Sequence, residues 1–273
     1  MKLSFSTLGC PDWSLDQVLA CATQNGYDGI ELRGLAGEIN LPEAPDLVPP
    51  QLAATKARLD GAGCAVASLG SSARFTPQEP EVRREMLDEV RAYADLAAAL
   101  GAPMVRVFGG NIPEGVSRED CLKYAGEALA QAGAIAAERG VTVVLETHDA
   151  FSLGQQVAEL LDAADCPHVG SLWDIHHPYR HGESLRTTMD CLRETLLHTH
   201  LKDSVEDGGK HRYTLLGEGT IPIAEALQLL KDEGYDGYLS LEWEKKWHPE
   251  IDEPEVAFPQ YAAKMRELLA ALD

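Results

Sequence analysis

The sequence predicts an α/β fold, a single (β/α)8 barrel that extends over residues 1–273. Short apolar segments alternate with longer amphipathic segments, which is the pattern of a parallel sheet whose strands are joined by helices. Eight such strand–helix units follow one another, and no segment between them has the composition of an interdomain linker. Eight units in a chain of this length favour a closed barrel. An open doubly wound sheet normally has a glycine-rich turn after its first strand, and Leu8-Gly9-Cys10-Pro11 is not such a turn.

The first half of the chain predicts four strands and three connecting helices. Ser14 is a typical helix N-cap and Gly26 a typical helix stop, and Gly101 closes a long helix in the same way. The strands begin near residues 3, 29, 64 and 104, and the helices cover about 15–25, 51–62 and 80–100.

The second half repeats the pattern four more times. Ser117 begins a helix that Gly140 ends, and this helix leads into the fifth strand. The remaining strands begin near residues 142, 169, 196 and 238, and the helices cover about 117–139, 154–164, 184–193, 223–233 and 255–272.

The composition limits the partners of the protein. Lys and Arg number 23 against 44 Asp and Glu, so the formal charge is −21 and nucleic acid is not an expected partner. The six cysteines are scattered with no C-x-x-C pair, which argues against a zinc knuckle and a disulfide framework. No apolar run approaches 18 residues and the first residues do not resemble a signal peptide. We therefore expect a cytoplasmic protein with reduced thiols and no membrane association.

Charged and imidazole side chains come at the ends of the predicted strands. A charged side chain at the end of a buried strand is costly unless it binds something. In a closed barrel these strand ends meet at one face, where the active site lies. The side chains concerned are Glu31, Arg33, Arg106, Glu146, His148, Asp174, His177, His200, Lys202 and Glu242.

Three of these carboxylates and one imidazole form a hard, oxygen-rich ligand set. Glu146, Asp174, His200 and Glu242 would bind one divalent ion, and such a set favours Mn²⁺, with Mg²⁺, Co²⁺ or Zn²⁺ as alternatives. The ion would polarise a carbonyl, so that a proton can leave the neighbouring carbon. Glu146 and Glu242 would flank the substrate as acid and base, and His177 and Lys202 would hydrogen-bond its oxygen.

Several of these side chains also have plainer structural interpretations. Lys202 is followed by Asp203 and could form an ordinary ion pair with it. Arg106 could serve only to neutralise carboxylates, and His148 could support a metal ligand as readily as contact the substrate. The segment Asp207-Gly208-Gly209-Lys210 is interpreted as a loop tip.

Four motifs combine the ends of predicted strands with polar residues. They are Leu145-Glu146-Thr147-His148, Trp173-Asp174-Ile175-His176-His177, His198-Thr199-His200-Leu201-Lys202-Asp203 and Leu241-Glu242-Trp243. They resemble the sugar phosphate isomerase/epimerase branch of the xylose-isomerase-like TIM-barrel superfamily, and the resemblance extends over essentially the whole chain. It implies that Glu146, Asp174, His200 and Glu242 are the metal ligands, that the two glutamates are the acid/base pair, and that His177 and Arg212 contact the substrate.

The resemblance implies an isomerase or epimerase of a small keto-sugar or polyol-derived ketone, acting through an enediolate. The alternative is a dehydratase of an inosose- or 3-dehydroshikimate-like substrate, because the segment 148–152 lacks the second glutamate that the epimerases carry there. Remote alternatives are a hydrolase like the apurinic endonucleases and a non-catalytic sugar-binding barrel. The hydrolase would need histidines at the ends of strands three and four, which read Ser68-Leu69-Gly70-Ser71 and Phe108-Gly109-Gly110. A homodimer or homotetramer would be usual for such barrels.

Overall fold

A computed structural model describes residues 1–272, which divide into two units. The first unit combines residues 1–67 with the chain from residue 199 onward, and the second unit is residues 68–198. Eight parallel strands form a closed barrel, which confirms the predicted fold class. The expectation of one domain over residues 1–273 stays a prediction.

The barrel strands of the first unit are short and buried. They are β1 (Lys2–Ser6), β2 (Gly29–Leu32), the first residues of β3 (Ala65–Arg74), the end of β7 (Leu196–Leu201), and β10 (Tyr238–Leu241). The helices of this unit are α1 (Leu15–Asn25), α2 (Leu52–Gly61), α8 (Ile223–Asp232) and α9 (Pro254–Ala270). Ser14 forms a capping box with Gln17, and Gly26 ends α1 with a φ of +64°, as the capping pattern predicts.

The second unit contains the rest of β3, the start of β7, and three complete strands. These strands are β4 (Met104–Phe108), β5 (Thr142–Glu146) and β6 (Val169–Asp174). The helices are α3 (Pro80–Leu100), α4 (Arg118–Ala137), α5 (Gly154–Ala164), α6 (His176–Arg180) and α7 (Leu185–Leu192). Register pairs Glu146 on β5 with Leu172 on β6, so the polar residues after these strands lie at neighbouring strand ends.

Two elements differ from the sequence prediction. The predicted loop tip at 207–210 is the turn of a hairpin whose strands the sequence did not predict, β8 (Asp203–Asp207) and β9 (Lys210–Thr214), which pair antiparallel. Gly208 and Gly209 both have positive φ, which suits a two-residue hairpin turn. The short helix α6 begins directly after β6 and contains Pro178 in its first turn, where the missing N–H costs nothing.

The membrane expectation was tested on the helices. Within residues 1–272, none combines the length and the apolar character needed to cross a membrane.

Candidate metal centre

Glu146 and Asp174 end two neighbouring strands of the second unit, and both side chains are buried. Thr147 ties these two strand ends together. Its hydroxyl accepts the backbone N–H of Asp174 at 2.9 Å and donates to the backbone carbonyl of Asp174 at 3.1 Å. The Asp174 carboxylate itself accepts the backbone N–H of His176 at 2.9 Å. The backbone therefore fixes the direction in which Asp174 presents its carboxylate.

Cationic and imidazole groups face these two carboxylates. Arg106 Nε lies 3.3 Å from Glu146 Oε2, and both side chains are only 1% exposed. His177 Nε2 lies 3.4 Å from Asp174 Oδ2, one turn along the chain. Such pairing offsets the cost of burying negative charge.

His148 packs against neighbouring rings of the second unit. Its ring centroid is 4.7 Å from those of Phe108 and His177. Its Nδ1 lies 3.1 Å from Asp149 Oδ1, and the hydrogen bond from His148 holds the pKa of the Asp149 carboxyl below its usual value. Asp149 adopts a φ of +53°, a left-handed conformation that Asp tolerates better than most residues.

His200 and Glu242 belong to the first unit and contact each other. His200 Nδ1 lies 3.3 Å from Glu242 Oε1, and both residues are buried. The other ring nitrogen, Nε2, lies 2.8 Å from Glu31 Oε2, so the imidazole is held between two carboxylates. The position of Glu31 at a strand end is visible in the sequence, but no sequence signal identifies His200 as its partner.

Lys202 supplies the counter-charge to Glu242. Its Nζ lies 2.5 Å from Glu242 Oε2 and 2.6 Å from Glu244 Oε1, and the Tyr213 hydroxyl donates to the same Glu244 oxygen at 2.8 Å. Asp203 is engaged elsewhere, because its two oxygens accept four backbone N–H groups. Lys202 therefore forms ion pairs with these two glutamates, whereas the carboxylate of Asp203 binds the backbone. Glu244 and Tyr213 were not among the predicted site residues.

Four of the predicted residues meet the requirements of a metal site. One ligand atom from each of Glu146, Asp174, His200 and Glu242 lies within 4.8 Å of the others, and all four residues are buried. Ligand atoms that sit about 2.0–2.6 Å from one divalent ion lie up to about 5 Å apart. This buried group of three carboxylates and one imidazole could therefore hold one metal ion. Ligand atoms of Glu31, His198 and His200 also lie within 4.8 Å of one another.

Arg212 has a different environment from the other predicted residues. It lies on β9, is exposed, and pairs with Val205 across the hairpin. Its neighbour Tyr213 is buried and reaches Glu244. A substrate contact through Arg212 stays a prediction.

Comparison with known proteins shows what this chain is similar to. The family model described as xylose isomerase-like TIM barrel matches residues 19–271. The chain is 25% identical over 281 residues to the fructoselysine 3-epimerase of Escherichia coli O157:H7, with 98% of both chains covered. It is 25% identical over 291 residues to the inosose dehydratase of Clostridium perfringens, with 94% of this chain and 93% of the relative covered. The crystal structure of the IOLI protein with a binding zinc atom superimposes with a TM-score of 0.85 and 19% identity, covering 100% of this chain and 99% of that one.

Proposed function

Because the chain belongs to the xylose isomerase-like TIM barrel family, we propose that it is a divalent-metal-dependent isomerase or epimerase. Its substrate is a small keto-sugar or a polyol-derived ketone. The observation that carries this proposal is the buried group Glu146, Asp174, His200 and Glu242. The match over nearly the full length of a 3-epimerase supports the same reaction class.

The metal is held by the oxygen-rich group, and Mn²⁺ fits it best by ligand type. Mg²⁺, Co²⁺ and Zn²⁺ are alternatives, and zinc is the ion in the crystal structure of the IOLI protein. When bound, the divalent ion supplies positive charge that makes a hydrogen beside the substrate carbonyl easier to remove.

Glu146 and Glu242 act as the acid/base pair in this proposal. One carboxylate removes the proton from the carbon beside the carbonyl, and the other returns a proton. Each glutamate has a buried cation beside it, Arg106 at 3.3 Å for Glu146 and Lys202 at 2.5 Å for Glu242. The glutamate that acts as base is ionised at the start, whereas the other starts protonated and becomes ionised when it gives its proton to the carbon. The neighbouring cation stabilises each glutamate in its ionised form.

Substrate oxygens are bound by His177 and Lys202, which carry N–H donors beside the ligand carboxylates Asp174 and Glu242. Arg106 and His148 would provide further polar contacts to the substrate. Arg212 is exposed on the hairpin, so we expect it to contribute least of these residues to substrate binding.

A dehydratase is the second candidate, and the match to an inosose dehydratase over 94% of the chain favours it. The first step is the same proton removal. The hydroxyl of the next carbon then leaves as water, with its proton supplied by the acid glutamate, instead of a proton returning to carbon. The segment that follows Glu146 reads His148-Asp149, where a second glutamate would favour an epimerase.

Hydrogen exchange in D₂O tests both candidates. The protein is loaded with Mn²⁺ and incubated with ketohexoses, inososes and 3-dehydroshikimate, and proton NMR follows the hydrogens beside each carbonyl. We expect deuterium to enter one substrate, and the exchange to be lost in Glu146→Gln and Glu242→Gln. An epimerised or isomerised product identifies the first candidate, and an unsaturated product identifies the dehydratase.

The matched control is Glu250→Gln, since Glu250 is exposed and lies outside the metal group. This variant should exchange hydrogen at the wild-type rate. Exchange that survives in both site variants would remove the two glutamates from the mechanism. Wild-type protein that binds none of Mn²⁺, Mg²⁺, Co²⁺ or Zn²⁺ would contradict the metal-dependent reaction altogether.

The proposal also includes an assembly and a location. We expect a homodimer or homotetramer, which light scattering after gel filtration measures directly. A cytoplasmic location is consistent with the six free cysteines, four of them buried, and fractionation of cells that express the protein would test it.

A further inference from the structure

Glu31 makes a buried contact with the imidazole of His200. Glu31 Oε2 lies 2.8 Å from His200 Nε2, and both side chains are fully buried. Glu31 is on β2 and His200 is on β7, and strands β1 and β10 lie between them. A glutamate side chain must therefore extend across two strands to make this contact.

Small side chains in the barrel interior leave room for that reach. Ser4 on β1 pairs with Ser240 on β10, which in turn pairs with His200, and Ser6 pairs with Glu31. These residues share one face of the sheet because alternate residues of a strand point the same way. Barrel interiors are usually filled by bulky branched residues, whereas all three residues between Glu31 and His200 are buried serines.

The contact with Glu31 decides which nitrogen of His200 carries the hydrogen. A carboxylate accepts hydrogen bonds, so Nε2 carries the hydrogen that Glu31 receives. The neutral ring then presents the lone pair of Nδ1, which lies 3.3 Å from Glu242 Oε1. This nitrogen and this oxygen lie close enough together to bind one divalent ion.

We propose that Glu31 is a positioning residue, which orients His200 and fixes its tautomer so that Nδ1 binds the metal together with Glu242. This inference rests on the proposed metal-dependent function and adds a residue that acts through His200. Buried carboxylates that accept the second N–H of a metal-bound histidine raise the affinity of that ligand for the metal.

Metal affinity, measured without substrate, tests the role of Glu31. Free Mn²⁺ is measured by electron paramagnetic resonance for wild type, Glu31→Gln and Glu31→Ala, and the visible spectrum of the Co²⁺ form reports the ligand geometry. We expect Glu31→Ala to weaken Mn²⁺ binding by about 10–100-fold. Glu31→Gln should lose less, because its amide oxygen still accepts the hydrogen of Nε2. The Co²⁺ spectrum of Glu31→Ala should shift, which a general loss of stability would not produce.

Glu43→Gln is the matched control, since Glu43 is an exposed glutamate of the same unit. Thermal unfolding of the metal-free proteins shows whether each variant folds. If Glu31→Ala does not fold, the Mn²⁺ affinity and the Co²⁺ spectrum of Glu31→Gln test the inference. Wild-type Mn²⁺ affinity and an unchanged Co²⁺ spectrum in folded Glu31 variants would overturn this inference and leave the proposed function intact. Wild-type protein that binds none of Mn²⁺, Mg²⁺, Co²⁺ or Zn²⁺ would overturn both.

Discussion

The ammonium group of Lys202 lies 2.5 Å from Glu242 Oε2 although the two side chains are only 1% and 7% exposed. A second carboxylate, that of Glu244, lies 2.6 Å from the same nitrogen. Burying charge is costly, and the cost is repaid only when the partners and their geometry are kept. Lys202 therefore has a structural role as well as the substrate-binding role that we propose.

Lys202→Met should be strongly destabilising, because it leaves the buried Glu242 and the half-buried Glu244 without this cation. Removing one partner of a buried ion pair costs about 3–5 kcal/mol. Urea unfolding of the metal-free protein measures the difference. The matched control is Lys123→Met, because Lys123 pairs with Glu119 on the exposed surface of α4 and such pairs contribute little. Equal urea midpoints for the two variants would contradict the expectation that the buried ion pair stabilises the protein more than the exposed one.

Asp203 should stabilise the conformation of the segment that joins the hairpin of β8 and β9 to α8. Its carboxylate accepts the backbone N–H groups of Ser204, Gly217, Gly219 and Ile221 at 2.9–3.1 Å. Asp203→Asn replaces one acceptor oxygen by an NH₂ donor that faces backbone donors. We expect a loss of about 1–3 kcal/mol in the free energy of unfolding, which is the usual cost of leaving buried donors unsatisfied.

The glycine in this loop provides an independent check of the same contact. A Cβ added at Gly219 would clash with Asp203 Oδ1 and with the backbone nitrogen of Ser204. Gly219→Ala should therefore destabilise the protein in urea as well. Asp207→Asn, at the exposed end of β8, is the control for the aspartate and should leave the midpoint unchanged. A stable Gly219→Ala protein would mean that the loop can move away from Asp203.

The sequence predicts the regular elements well because their signals are local. Helix α3 is predicted over 80–100 and extends over Pro80–Leu100, since a proline starts it and Gly101, with a φ of +75°, ends it. The strand ends are predicted equally well, because an apolar run and the polar residue after it are adjacent in the chain. Glu146 and Asp174 are found in this way.

The contacts between distant residues are what the sequence does not reveal. The partner of Glu31 is 169 residues away, and only the strand order and the row of buried serines make their contact possible. Glu244 lies two residues beyond Glu242 and is recognised only through Lys202 and Tyr213. The hairpin of β8 and β9 is missed for another reason, since its strands are short and its turn, Gly208-Gly209, is also typical of a loop.

The buried thiols should make the protein less stable at alkaline pH. Burial raises the pKa of Cys21 and of Cys64 from 9.0 to about 11. Above pH 9 the unfolded chain loses these protons while the folded protein keeps them, so unfolding releases protons and the free energy of unfolding falls as pH rises from 9 to 11. Urea unfolding at intervals of one pH unit measures this slope. In Cys64→Ala the slope should be smaller, and identical slopes in the variant and the wild type would contradict the raised pKa of Cys64.

Thr147→Val should weaken both the fold of the second unit and the metal binding that we propose. The hydroxyl of Thr147 is fully buried and bonds to both the N–H and the carbonyl of Asp174, and valine has the same shape without this hydroxyl. Two buried backbone groups would lose a partner, and each unsatisfied group costs about 1–3 kcal/mol. Since these bonds hold the backbone of a proposed ligand, Mn²⁺ affinity should also fall, by a smaller factor than removal of the Asp174 carboxylate causes.

Thr142→Val is the control on the same strand, where Thr142 is only half-buried at the opposite end of β5. If Thr147→Val loses stability but binds Mn²⁺ as wild type does, the contact supports the barrel without positioning the ligand.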